Sequence, residues 1–129
     1  MKRDMDLIRE VMFVLERMTG TGHRTINGSD QAFGEVEASA ALINYNLRLL
    51  VQKGLVDGAV MPANMGFMIT GLTWAGHDFL DSIRDDEIWR KTKEGAEKAG
   101  GFTVDILGDL AKGFIKTQIK KYTGVVIPD

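Results

Sequence analysis

Two short phrases, a helix stop and a helix start separated by a hairpin-sized interval, constrain this 129-residue chain more than any other feature. The first is Leu49-Leu50-Val51-Gln52-Lys53-Gly54-Leu55-Val56 and the second is Leu72-Thr73-Trp74-Ala75-Gly76. Before Gly54, the residues Leu42, Ile43, Leu47, Leu49, Leu50 and Val51 recur at helical spacing, which predicts a helix from about Ala38 to Lys53. Gly54 is suited to the left-handed position that ends it. Leu55 and Val56 open an extended run through Met61, Pro62-Ala63-Asn64 turns the chain, and Phe67 to Leu72 returns, so a two-stranded β-hairpin follows. Thr73 then caps a helix on which Gly76, Phe79, Leu80 and Ile83 share one face.

The flanks complete the order. After Asp4, the stripe Leu7, Ile8, Val11, Met12, Val14, Leu15 and Met18 predicts a first helix, and Thr19-Gly20-Thr21-Gly22 supplies the turn that stops it. Arg24 to Ile26 reads as a short extended piece, Asn27-Gly28-Ser29-Asp30 as a turn, and the stretch to Glu37 as a loop or a single helical turn. Beyond Trp89 the chain changes character. Asp85-Asp86 can cap a Lys/Glu-rich helix through Glu97 that breaks at Gly100-Gly101, and Thr103 opens a last helix to about Tyr122, which Gly124 ends. The expected fold class is mainly α with a small β-hairpin wing. A winged helix-turn-helix-like domain over residues 1–89 precedes a C-terminal helical extension over residues 90–129.

Composition removes several chemistries. With no cysteine, disulfides, thiolate metal sites and cysteine nucleophiles are excluded, and two histidines, His23 and His77, cannot build an all-histidine zinc site. No run approaches the ~18 apolar residues of a membrane span, and the start lacks the apolar segment of a secretory signal, which together predict a cytoplasmic protein. His77 with Asp81 one turn later makes an incomplete ligand set, and both read as surface polar residues. Asp85-Asp86-Glu87 reads as a helix start, not an acid/base cluster, because consecutive helical residues point in different directions. Gly20-Thr21-Gly22 lacks the lysine and spacing of a phosphate loop. No cofactor, metal or catalytic residue is expected, and the chain reads as non-enzymatic.

Both phrases resemble segments common in bacterial regulators of the winged-helix type, the end of a recognition helix and the start of the helix after the wing. A wider resemblance runs through Met1-Lys2-Arg3-Asp4-Met5-Asp6-Leu7-Ile8-Arg9, Ile43-Asn44-Tyr45-Asn46-Leu47-Arg48-Leu49-Leu50 and the segment from Leu72 to Asp86. These are similar to an uncharacterised family of short bacterial and phage proteins, domain of unknown function family 2513. Asn46 stands where that family commonly carries histidine. The resemblance implies a phage or prophage context and a winged-helix-like domain, and it brings no activity with it.

Two partner surfaces follow. On a winged helix the second helix enters the DNA major groove, so Asn44, Asn46, Arg48, Gln52 and Lys53 are the expected base or phosphate contacts, with Lys91, Lys93 and Lys98 as further phosphate contacts. Charge works against this: residues 1–89 carry 8 Lys/Arg and 13 Asp/Glu, a net of −5, and Asp57 to Gly71 holds no Lys or Arg. Residues 90–129 carry 8 Lys/Arg and 5 Asp/Glu, a net of +3. The last helix has an apolar seam of Val104, Leu107, Leu110, Ala111, Phe114, Ile115, Ile119 and Tyr122, with Lys112, Lys116 and Lys120 on a neighbouring face. This seam could pack on the domain, form a homo-oligomer, bind a partner's groove or lie on an anionic membrane surface. Packing or self-association is favoured over the membrane, since Gly108 and Gly113 weaken an isolated helix and Asp105 and Asp109 dilute its basic character. The leading expectation is thus a small regulator that contacts double-stranded DNA as a homo-oligomer. Its alternative is a protein-interaction module on a winged-helix scaffold without DNA binding.

Overall fold

A computed structural model describes residues 1–18 and 22–128. The expected stop at Thr19-Gly20-Thr21-Gly22 lies, for its first three residues, outside the described residues. The chain forms helix α1 (Met5–Arg17), strand β1 (Arg24–Ile26), a 3-10 turn (Gln31–Phe33), helix α2 (Ala40–Lys53), strands β2 (Val56–Val60) and β3 (Phe67–Leu72), and helices α3 (Trp74–Ser82), α4 (Asp86–Ala99) and α5 (Val104–Thr123). This is a mainly helical chain with a small antiparallel sheet. Chain contacts divide it into two compact units, Met1–Asp78 and Phe79–Asp129, with α3 running from one into the other.

Local chemistry accounts for the helix ends. Asp4 accepts from Leu7 N–H, Ser39 from Leu42 N–H, Asp85 from Ile88 N–H and Thr103 from Ile106 N–H, so four helices begin on a side-chain cap at or next to the expected position. Gly54 (φ 83°) and Gly100 (φ 78°) terminate α2 and α4 in the left-handed conformation. On the surface of α4, Arg90 reaches Glu87 at 3.1 Å and Glu94 at 2.9 Å. The hydrogen bond to Glu87, followed by the charge of Glu94, raises the guanidinium above its already high ordinary pKa.

In the first unit β1, β3 and β2 form one sheet in that order, both pairs antiparallel. Arg24 faces Ile69 and Ile26 faces Phe67, while Val56 faces Leu72 and Val60 faces Phe67. The hairpin expected from sequence is present, and β1 adds a third strand to it. Between the Asp57–Gly71 and Gly58–Ile69 pairs β3 carries one extra residue, Thr70, whose hydroxyl lies 3.0 Å from His23 Nδ1. Helix α1 packs on α2 and β3, and α2 packs on β2. Val11, Met12, Ile26, Ile43, Leu47 and Leu50 are buried at 2% exposure or less and form the centre of this core.

In the second unit a four-residue link returns α5 along α4. Ile88, Trp89, Thr92 and Ala96 of α4 and Leu107, Gly108 and Ala111 of α5 are buried. Phe79, Leu80 and Ile83 are buried as the helical face predicted, but Trp74 at the start of α3 is 84% exposed.

Candidate functional site

A cleft of the first unit opens between α2 and the β2–β3 hairpin and has a volume of about 490 Å³. Helix α2 contributes Ala41, Asn44, Tyr45 and Arg48, and the hairpin contributes Val60, Met61, Ala63, Gly66 and Phe67, with Met1 at the margin. Pro62 begins the short turn at the hairpin tip, where Ala63 adopts φ 55°, and this turn sets the reach of the wing over α2. The lining is chiefly apolar. Arg48 is exposed and, among the described residues, has no ion-pair or hydrogen-bond partner. Val60 and Met65 on the hairpin are 48% and 58% exposed.

The structure places the five expected α2 contacts in three different settings. Arg48, Gln52 and Lys53 are exposed along the second half of the helix. Asn44 is half-buried, and its side-chain oxygen accepts a 2.7 Å hydrogen bond from Gly28 N–H. Asn46 corrects the sequence reading: it is fully buried, accepts from Asp4 N–H at 3.1 Å and donates to the Leu42 carbonyl at 3.0 Å. Its amide closes the start of α1 onto α2 and is not presented to a partner. The reason lies in the helix wheel, which puts position 46 beside Ile43, Leu47 and Leu50 on the inward face. The same bond ties Asp4, which directly follows Lys2 and Arg3, to α2. Sequence reasoning passed over Tyr45 and Met61, whose only signal was a half-apolar surface next to the hairpin.

The remaining expected residues belong to the second unit. Lys91 lies 3.9 Å from Glu87, Lys93 stacks over the Trp89 ring at 5.5 Å, and Lys98 is exposed in the last turn of α4. Within the α5 seam, Leu107 and Ala111 are completely buried inside the chain, so this part of the seam packs within it. Val104, Leu110, Phe114, Ile115 and Ile119 are half-buried, and Tyr122 is 76% exposed.

A second cleft, of about 390 Å³, is lined by Leu15, Glu16, His23, Arg24, Thr70 and His77 among others. It brings both histidines of the chain to one place. Even so, no three His, Asp or Glu residues among those described are grouped closely enough to hold a metal ion. His77 and Asp81 are both exposed on α3.

Comparison with known proteins places the chain in a lineage. Residues 2–102 match the family model described as "Hypothetical protein (DUF2513)". The chain belongs to this family. It is also 28% identical over 122 residues to an "Uncharacterized protein" of Haemophilus influenzae, covering 92% of this chain and 99% of the relative. The matched stretch takes in the first unit except Met1, and α4, but stops before α5. No solved structure matches the chain. No helix among the described residues is long and apolar enough to cross a membrane.

Proposed function

We propose that this chain is a non-enzymatic protein-interaction module built on a winged-helix scaffold, with the α2–hairpin cleft as its binding surface. The element order and the β1-β3-β2 sheet support the winged-helix reading, and the carrying observation is what α2 shows to its surroundings. In a helix-turn-helix reader the N-terminal part of the second helix meets the bases. Here that part carries Ala41 and Tyr45 into a largely apolar cleft, while Asn46 is spent inside the core. A wing without Lys or Arg adds no phosphate contact. The chemistry of the cleft fits a peptide segment with an apolar anchor for the Tyr45–Met61 surface and a carboxylate for the unpaired Arg48 guanidinium.

A panel of 15-residue peptides varied in apolar and charged content, read by fluorescence polarisation, tests this. Peptides with an apolar residue beside Asp or Glu should bind, Arg48→Ala should weaken them, and Arg48→Glu should turn the preference toward Lys-bearing peptides. Equal binding of all peptides, or of none, would remove the proposal.

A second reading, a DNA-binding regulator, rests on the exposure of Arg48, Gln52 and Lys53 along one half of α2, with the basic residues Lys2 and Arg3 directly before Asp4, which bonds to Asn46 of the same helix. It requires salt-sensitive binding to duplex DNA at low ionic strength that is lost in Arg48→Ala and Lys53→Ala. The homo-oligomer and the phage or prophage setting belong with this reading.

A further inference from the structure

Helix α5 has 20 residues and its partner α4 has 14, so once the link folds α5 back, about six residues or 9 Å of α5 run on past α4. The inward stripe of α5 does not stop where its cover stops. Leu107 and Ala111 are fully buried, Ile115 and Ile119 on the same stripe are half-buried, and Tyr122 is 76% exposed. Gly124, at φ 75°, then turns the chain, and Lys116 Nζ lies 3.4 Å from the Pro128 carbonyl. That contact folds the tail back along α5 and sets Val125, Val126 and Ile127, 56%, 66% and 39% exposed, beside its last turns.

Charge is segregated along the same helix. Asp105 and Asp109 sit in the first two turns, opposite α4, whereas residues 110–128 contain Lys112, Lys116, Lys120 and Lys121 and no Asp or Glu. At about 100° per residue, the arc from Phe114 through Tyr122 to Ile119 is roughly 140° wide and apolar except for Gln118, and Lys112 and Lys121 lie about 20° outside its two edges. Ammonium groups on both borders of an apolar stripe can rise to a phosphate layer while their methylene stems and the stripe enter the acyl boundary. A second copy of the same segment would bring lysines against lysines, so the pattern does not favour self-pairing. Gly108 does not weaken this segment, since it lies in the covered half facing the Phe79 ring.

We infer that the C-terminal half of α5, with the Val125–Ile127 tail, docks the protein on an anionic lipid surface. The site is independent of the α2–hairpin cleft and of what binds there. The test is sedimentation of the full chain with vesicles of pure phosphatidylcholine and of phosphatidylcholine with 30% phosphatidylglycerol, at low and high salt. Binding is expected on the anionic vesicles only and should fall with salt. Lys112→Gln/Lys120→Gln/Lys121→Gln should reduce the partition coefficient by roughly a hundred- to a thousandfold, at about five- to tenfold per lysine. Tyr122→Ser/Val126→Ser should reduce it at every salt concentration, and because both side chains are exposed the thermal melt should not change. Equal binding to neutral vesicles would overturn the inference, as would no sedimentation at low salt. A mass doubling in solution that Tyr122→Ser abolishes, without vesicle binding, would assign the stripe to self-assembly instead. Duplex DNA binding lost in the triple lysine variant, again without vesicle binding, would assign it to nucleic acid.

Discussion

The hydroxyl of Thr73 donates a 2.6 Å hydrogen bond to the carbonyl of Gly54 and accepts one of 3.0 Å from Gly76 N–H. One side chain thus joins the residue that ends α2 to the first turn of α3, across the whole hairpin. The Thr73 N–H, bonded to the Leu55 carbonyl at 3.0 Å, closes the same corner from the backbone. The base of the wing is therefore held independently of its tip.

Thr73→Val should lose about 1–2 kcal/mol, because it removes both a helix cap and a bond to an otherwise open carbonyl. Thr73→Ser should retain most of that stability. Urea denaturation reads the difference as a shift in midpoint, and equal midpoints for the two variants would show that the corner is held by the backbone alone.

Asn46 should behave as a core residue and Arg48, two positions on, as a surface one. Asn46→Ala is expected to cost about 1–3 kcal/mol through the lost bonds to Asp4 and Leu42 and the space left behind. Asn46→Asp should cost more at neutral pH, since it buries a carboxylate whose second oxygen faces the Leu42 carbonyl. Arg48→Ala should stay within about 0.5 kcal/mol of the parent. Thermal melts of the three variants check the order.

The same substitution should have opposite signs at two helical glycines. A Cβ on Gly76 would sit on the Leu55 carbonyl, so Gly76→Ala must push apart α3 and the start of β2, at a cost of about 1–3 kcal/mol or more. Gly113, exposed within α5, has nothing within 4 Å of such a Cβ, and Gly113→Ala should stabilise by about 0.5–1 kcal/mol. Differential scanning calorimetry that gave both variants the same sign would contradict the packing around Gly76.

Thr92 is completely buried in α4, and its hydroxyl has no hydrogen-bond partner among the described residues. Thr92→Val keeps the shape and removes the unmet polar atom, so it should be neutral or stabilising by up to about 1–2 kcal/mol, against the usual direction for a core substitution. A clear loss of stability in chemical denaturation would mean that the hydroxyl has a bonding role.

Much of the framework was legible because its signals are local. The stripe from Leu7 to Met18, Gly54 after a helical run, and the caps at Thr73, Asp85 and Thr103 each act within one or two turns of their own position. The binding surface was less legible. Asn44, Asn46 and Arg48 are all polar residues of one helix, and their fates differ because Gly28 N–H and Asp4 N–H, 16 and 42 residues away, approach two of them. The pairing of β1 with β3 and the burial of Leu107 and Ala111 within the α5 seam likewise depend on partners distant in sequence.

By itself, then, the sequence determined the order of helices and strands, most of their ends and the uneven distribution of charge, because periodicity, capping and composition are properties of neighbouring residues. Only the tertiary structure decided which polar side chains of α2 are used inside the core and how far along α5 the apolar stripe is covered. Those outcomes turn on how long each element is relative to the one it packs against, and on which backbone donors reach it.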